Sequence, residues 1–116
     1  QERGAMNFEE AANKALAFRD ERDWAQFHNP KDIAISVNLE AAELLEVFQW
    51  SGADLVVAAK ADKAKKEMAD VVIYCIYLAD TLGVDLADAI SSKIDENARK
   101  YPADKARGNA RKYTEL

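Results

Sequence analysis

Two pairs of acidic residues, each pair spaced three positions apart, are the part of the sequence best suited to chemistry. They are Glu40 with Glu43 and Glu67 with Asp70. Residues at this spacing project from one side of a helix, so each pair can bind one partner. Hard divalent cations such as Mg²⁺ prefer carboxylate oxygens, and four close carboxylates repel one another unless a cation compensates their charge. We therefore predict that the four residues form a metal cage.

On a helical wheel, the first acid of each pair lies within an apolar stripe. Glu40 falls between four apolar residues, namely Ile33, Val37, Leu44 and Val47. Glu67 falls in the same way among Val71, Tyr74 and Leu78. A solvated acidic face avoids such a stripe, so we expect the four carboxylates to point towards the core. Without this helical-wheel argument, the acids would be assigned to helical ion pairs with neighbours such as Lys63 and Lys66.

Apolar periodicity and helix-end signals predict four long helices and no convincing strand. The predicted helices run from Asn7 to about Trp24, from about Lys31 to Trp50, from Asp62 to Leu82, and from the cap Asp85 through the stripe Leu86, Ile90, Ile94 and Tyr101. Asn29-Pro30 can start the second helix, Ser51-Gly52 can stop it, and Gly83 can end the third. A short helical piece is expected at positions 54–60. Short connections between these helices predict an antiparallel all-α bundle of the four-helix type.

The size and hydrophobicity of the chain are those of one domain. Its 116 residues are 49% hydrophobic, which is enough for a real core, and we expect the domain to span residues 1–116. Residues 1–6 show no periodicity, so we expect them to be left over from expression, before a native start at Met6. The second helix is apolar on almost every side and cannot bury that surface alone. We therefore predict a homo-oligomer, with a dimer as the minimum.

Cysteine content and hydropathy indicate a soluble protein of the cytoplasm. No apolar run approaches the roughly 18 to 20 residues that cross a membrane, and no secretory signal is visible. Cys75 is the single cysteine, which excludes an intramolecular disulfide and a multi-cysteine zinc site. These features favour a reducing compartment and no membrane partner.

Charge is distributed unevenly along the chain. The net charge is −5, but positions 93 to 112 hold seven basic residues and three acids. A basic segment together with an acidic metal cage suits a small phosphorylated ligand, whose oxygens bridge the metal while Lys and Arg neutralise the outer charge. An acidic protein with one short basic segment is a poor candidate for binding duplex nucleic acid.

The acidic pairs occur within an ordered set of blocks that covers nearly everything after Phe18. The further blocks are Arg19-Asp20-Glu21-Arg22-Asp23-Trp24 with Phe27-His28-x-Pro30, then Glu46-x-Phe48-Gln49-Trp50, and finally Lys93-Ile94-Asp95-x-Asn97 with Tyr101-Pro102 and Arg107-Gly108-x-x-x-Lys112-Tyr113. The whole resembles the MazG-like all-α nucleoside triphosphate pyrophosphohydrolases, and within them the dCTP pyrophosphatase branch most closely.

This resemblance implies hydrolysis between the α- and β-phosphates of a nucleoside triphosphate such as dCTP, with a role in nucleotide-pool house-cleaning. Mg²⁺, or Mn²⁺ in its place, is expected at Glu40, Glu43, Glu67 and Asp70, where it would polarise the α-phosphoryl oxygens, neutralise the leaving pyrophosphate and lower the pKa of a bound water. A carboxylate that is only loosely committed to metal would orient or deprotonate that water, and Glu43 is our first choice. A tetramer, as a dimer of dimers, is also implied.

The resemblance also implies substrate contacts. Trp24, His28 and Trp50 are expected around the base, where an indole can stack. Lys93 and Asn97, four positions apart, can reach one phosphate or sugar. Further contacts are expected from Asp95, Tyr101, Lys112 and Tyr113. Structural readings remain open: core packing for the tryptophans, a capping or surface histidine for His28, a solvated charged face for Lys93 and the tail, and a buried hydrogen-bond partner for Asn97.

Two other classes of protein fit parts of the pattern. A di-iron redox bundle usually takes E-x-x-H from two helices, whereas this chain has one histidine, outside both acidic motifs. That class is therefore set aside. A non-catalytic nucleotide-binding or oligomerisation module on the same helical fold stays open as the alternative function, and the complete set of four acids argues against it.

Overall fold

The computed structural model describes residues 5–50, 52 and 58–115, and within these ranges the regular structure is entirely helical. The α-helices are α1 (Phe8–Glu21), α2 (Pro30–Glu46), α3 (Ala61–Leu82), α4 (Leu86–Lys100) and α5 (Ala103–Ala106). Three 3-10 turns lie at Ala25–Phe27, Ala58–Lys60 and Tyr113–Glu115. The predicted all-α class is confirmed. The four-residue α5 was not predicted.

Side-chain caps set the starts of three helices where the sequence predicted them. Asn7 Oδ1 accepts the N–H of Glu10 at 2.8 Å ahead of α1. Asn29 Oδ1 accepts the N–H of Asp32 at 2.9 Å, and Pro30 occupies the first position of α2. Asp85 caps α4 in the same manner. Each cap pairs a backbone donor that has no partner within the helix, so these starts follow from local chemistry.

Helix ends were predicted less well. Gly83 ends α3 with a left-handed φ of 68°, as expected. However, α1 stops at Glu21 rather than near Trp24, because the chain turns back through Asp23 at a φ of 54°. α2 stops at Glu46 rather than Trp50, because the following residues bond carbonyls three positions back in a tighter turn. The predicted stop at Ser51 and the piece at 54–57 lie outside the described residues.

The described residues up to Gly83 form one compact unit, within which α3 packs against both α2 and α1. The buried apolar side chains among the described residues of this unit are Ile33, Ala64, Ile76, Tyr77 and Ala79. Ile33 is 2% exposed and is the most deeply buried large side chain among the described residues. The α2–α3 packing matters most for function, because it brings the two acidic pairs of the sequence to adjacent helices.

α1 is attached to α3 by two polar contacts. Arg19, at the end of α1, donates from Nη1 to Asp80 Oδ2 of α3 at 2.8 Å. The Tyr77 hydroxyl of α3 donates to the Ala15 carbonyl of α1 at 3.0 Å. Because burial makes an unpaired polar group costly, these two contacts fix where α1 lies on α3.

The described residues from Val84 onwards form a second compact unit, which contains α4 and α5. Ile90, Ile94 and Asn97 of α4 are all exposed, so the stripe predicted for the last helix is not buried in this chain. Of the two explanations offered for Asn97, the exposed side chain does not support a buried hydrogen-bond partner in this chain, and contact with a ligand stays a prediction. Glu96 pairs with Lys93 at 3.3 Å, and this lysine's hydrogen bond lowers the Glu96 pKa. One domain over residues 1–116 stays a prediction.

None of the helices among the described residues combines the length and the apolar character that crossing a bilayer requires.

Candidate active site

Three of the predicted acids meet where α2 packs on α3. One carboxylate oxygen from each of Glu40, Glu67 and Asp70 lies within 4.8 Å of the other two. Glu40 comes from α2, whereas Glu67 and Asp70 come from α3 at the predicted spacing of three residues. Helical periodicity thus selects the residues, and the packing of two helices assembles them.

Glu43, the fourth predicted acid, lies beside this group of three. Its carboxylate is within hydrogen-bonding reach of both Glu40 and Glu67. Glu40 and Glu67 are half-buried, whereas Glu43 and Asp70 are exposed. The prediction that all four acids point towards the core is therefore wrong for the second member of each pair. A step of three residues turns about 60° short of a full circle, which moves that member out of the apolar stripe.

Burial and repulsion between neighbouring carboxylates disfavour the charged forms of Glu43 and Glu67 in the acidic cluster. The Oε2 atoms of Glu40 and Glu67 are buried and have no hydrogen-bond partner. Burial is the main cause that raises the Glu67 pKa, followed by the negative charge of Glu43. The Glu43 pKa is raised chiefly by its hydrogen bond with Glu40 and then by the Glu40 charge. Unpaired buried oxygens in an all-carboxylate set fit a hard divalent cation such as Mg²⁺ or Mn²⁺.

A largely apolar groove of about 600 Å³ lies between α1 and α3 and reaches the cluster at Asp70. Trp24 lines it, 44% exposed, with its ring edge-on to Phe18 at 5.7 Å between centroids. Tyr74 and Ile73 line the α3 side. An exposed indole beside other aromatic rings offers a flat surface on which a planar ring can stack.

A second groove of about 380 Å³ reaches the cluster from the side of Glu43 and Glu67. Trp50 and Lys63 also line it, and Trp50 is 89% exposed. The acidic cluster therefore has a groove on two sides, and each groove contains one of the two predicted tryptophans. Core packing, the alternative for these indoles, does not describe Trp50 in this chain.

His28 is positioned differently from the tryptophans. Its ring packs 5.1 Å from the Tyr77 ring, and its Nδ1 atom is buried without a partner. Burial, and then the charge of Arg19, lower the His28 pKa, so the neutral imidazole is favoured near pH 7. His28 is not among the residues lining either groove. Its predicted contact with a base stays a prediction.

The remaining predicted contacts belong to the second compact unit, so no distance relates them to the cluster. They are Lys93, Asp95, Asn97, Tyr101, Lys112 and Tyr113. Their roles stay predictions.

Conversely, sequence reasoning treated Lys63 only as an ion-pair neighbour. Because Lys63 lies four positions before Glu67, the helical spacing itself could have placed it in the groove.

Comparison with known proteins shows the family to which the chain belongs. A sequence profile of the MazG-like family matches residues 35–116, which include all four acids. The chain belongs to the MazG-like family. This confirms the resemblance drawn from the sequence blocks.

Individual MazG-like relatives agree with the profile. The chain is 42% identical to human (Homo sapiens) dCTP pyrophosphatase 1 and 39% identical to the Mus musculus protein of that name, with 85% of this chain matched in each case. It spans 61% of the length of these relatives. A pyrophosphatase from Archaeoglobus fulgidus DSM 4304 has a similar structure, with a TM-score of 0.75 and 36% identity over 88% of this chain and 98% of that one.

Proposed function

We propose that this protein hydrolyses a nucleoside triphosphate to the monophosphate and pyrophosphate, with dCTP or a related deoxynucleotide as the first candidate substrate. Water adds to the α-phosphorus, and the bond between that phosphorus and the oxygen leading to the β-phosphate breaks. The observation that carries the proposal is the cluster of Glu40, Glu67 and Asp70, whose half-buried members have unpaired oxygens and which adjoins two indole-bearing grooves.

Glu40, Glu67 and Asp70 are the residues that would hold the cation. Bound Mg²⁺ supplies positive charge to the triphosphate oxygens and makes water a better nucleophile at neutral pH. Glu43 is the acid outside this group of three, and it is exposed with a raised pKa. A carboxylate that is not fully committed to metal and binds a proton more readily than usual suits the base that orients water and accepts its proton.

The two grooves suggest how the substrate lies. The apolar groove with Trp24 suits a base, because stacking on an indole needs no particular hydrogen-bonding pattern. The groove with Lys63 is also lined by Glu43, Glu46 and Glu67, so the leaving phosphates would need the bound cation together with the Lys63 ammonium group to compensate their charge there. The choice of dCTP comes from the names of the relatives, which this chain matches over 61% of their length.

The family resemblance adds further substrate contacts to this proposal. Lys93, Asn97 and Lys112 carry donors suited to phosphate or sugar oxygens. The family blocks alone support substrate contacts from Asp95, Tyr101 and Tyr113.

Exposed apolar side chains on α2 support a homo-oligomer. Ile35, Leu39 and Leu45 are all exposed in the single chain, on a helix whose opposite side is packed on α3. Large apolar side chains exposed on one helix in this way suit association with a second copy of the chain. A dimer is the minimum, with a dimer of dimers in keeping with the family resemblance. Light scattering after gel filtration measures the oligomeric state directly.

Release of pyrophosphate and monophosphate from a panel of dNTPs and NTPs, with and without Mg²⁺, tests the activity. We expect Glu43→Gln and Asp70→Asn to lower kcat at least about 100-fold, as loss of a base or of a metal ligand does. Asp62→Asn is the matched control, since Asp62 is an exposed acid in the first turn of α3 and should leave turnover within about twofold. Nucleotide binding without turnover in the wild type would instead identify a non-catalytic binding module.

A further inference from the structure

Arg19 is the one buried charged residue among those the structure describes, at 7% exposure. Its guanidinium is held by two carboxylates, with Nε donating to Asp20 and Nη1 donating to Asp80, each at 2.8 Å. Asp20 belongs to the same helix as Arg19, whereas Asp80 lies in α3. Of the two carboxylates, Asp80 is therefore the one that joins Arg19 to a second helix. Removing a charged group from water is costly unless it is paired, so this arrangement is a specific one.

The backbone of Arg19 also anchors the chain that follows α1. Its carbonyl accepts the N–H of Arg22 at 3.2 Å and the N–H of Trp24 at 3.1 Å. Asp23, between them, has a φ of 54°, which turns the chain back on the helix end. The backbone of Trp24 is thus bonded directly to the residue whose side chain is attached to α3.

The two helices joined in this way are the two walls of the 600 Å³ groove. Trp24 and Phe18 line it from the α1 side, and Tyr77 lines it from α3. The Tyr77 ring centroid lies 5.8 Å from the Arg19 guanidinium carbon, so the ion pair is close to the groove wall. The separation of the walls therefore depends on the contact between Arg19 and Asp80 together with the hydrogen bond from Tyr77 to Ala15, and the Arg19 contact is the one joined to the backbone of Trp24.

We propose that the Arg19–Asp80 ion pair is a positioning device that holds Trp24 against the groove and thereby sets the affinity for the base. The inference rests on the proposed function, in which this groove receives the base. Arg19 touches neither the acidic cluster nor the reacting phosphates in this scheme. Loss of the pair weakens binding in the ground state and the transition state alike, which raises KM and leaves kcat unchanged.

Asp80→Ala tests this directly, with Asp20→Ala as the matched control. Both substitutions remove an exposed partner of the same guanidinium, and in each variant Arg19 keeps one carboxylate. Alanine favours helix, and Asp80 lies near the C-terminus of α3, where removal of an acid does not weaken the helix. We expect Asp80→Ala to raise KM about 10-fold with kcat within about twofold, and Asp20→Ala to change neither. Asp80→Glu, which keeps the charge, should restore part of the affinity.

A fluorescence measurement separates this inference from the proposed activity. The chain has two tryptophans, so in a Trp50→Phe background all indole emission comes from Trp24. We expect acrylamide to quench Trp24 more strongly after Asp80→Ala and not after Asp20→Ala. If the wild type hydrolyses no nucleotide, the activity proposal fails while the quenching still tests the positioning of Trp24.

Three results would overturn the inference. The first is unchanged Trp24 quenching in Asp80→Ala, and the second is changed quenching with KM unaltered. The third is a lower kcat at constant KM, which indicates only a smaller folded fraction and a purely structural ion pair. If Asp80→Ala does not fold, Asp80→Asn keeps the size and one oxygen acceptor, and the same comparisons apply to it.

Discussion

Replacement of Glu40 by methionine should stabilise the metal-free protein. The Glu40 Oε2 atom is buried without a partner, on the side of α2 that also carries the buried Ile33. A buried acceptor left unpaired costs about 1–3 kcal/mol. Methionine has a similar length and helix propensity but no polar oxygen. We therefore expect Glu40→Met to raise the free energy of unfolding without metal by about 1–3 kcal/mol, or Tm by very roughly 4 °C per kcal/mol.

The assay is urea unfolding followed by circular dichroism, first in EDTA and then in excess Mg²⁺. Wild type and variant are compared at equal protein concentration, because association shifts apparent stability. A ligand at 100 times its Kd adds about 2.7 kcal/mol to the wild type, and most of this gain should be lost in Glu40→Met. Glu46→Met serves as the control, since Glu46 is exposed at the end of the same helix and should change stability by less than about 0.5 kcal/mol.

Two outcomes would refute the reasoning. Lower stability of Glu40→Met than of wild type in EDTA would mean that the carboxylate is satisfied in the folded protein without metal. An equal gain of stability in Mg²⁺ for both proteins would mean that Glu40 does not hold the cation. The Glu46→Met control distinguishes both from a general preference of α2 for methionine.

Two further predictions concern pH and a helix end. The pKa values of Glu43 and Glu67 are raised in the folded state, so in the absence of metal the folded protein holds these protons to a higher pH than the unfolded chain does. The free energy of unfolding in EDTA should therefore fall as pH rises from the ordinary glutamate pKa through the raised values. Urea midpoints between pH 4.5 and 7 should show a smaller fall in Glu67→Gln, and equal slopes would contradict the assignment. Gly83→Ala should lower the free energy of unfolding by about 1–2 kcal/mol, because the left-handed backbone at Gly83 is costly for a residue with a Cβ. The same urea titration measures this, and an unchanged midpoint would contradict it.

Features fixed by local sequence were predictable. The caps at Asn7, Asn29 and Asp85 and the stop at Gly83 need only nearby residues to pair helix-end groups, and the structure has all four. The three-residue spacing of the acids is visible in the sequence, and helix geometry alone puts residues at this spacing on one side of a helix. The candidate cluster could therefore be named before the helices were placed.

Features that depend on distant packing were not predictable from spacing. Arg19 and Asp80 are 61 positions apart, and no periodicity links them. The early end of α1 follows from the turn at Asp23, where a residue other than glycine has a positive φ. Likewise, a wheel places Asp70 beside the apolar stripe, but where the buried part of that stripe ends depends on how far the neighbouring helix extends over it.

In this protein, the presence or absence of hydrogen-bond partners for a buried charged group distinguishes structural groups from functional ones. Arg19 is buried and is paired with two carboxylates at 2.8 Å, which is what a folded chain requires of a charge that serves packing or positioning. Glu40 and Glu67 are also partly buried, yet each leaves a carboxylate oxygen without a partner. The same fold that satisfies Arg19 could satisfy these oxygens with a lysine or a backbone donor. Their unpaired state therefore reflects a requirement other than stability, and a divalent cation bound where α2 meets α3 is the partner that their chemistry fits best.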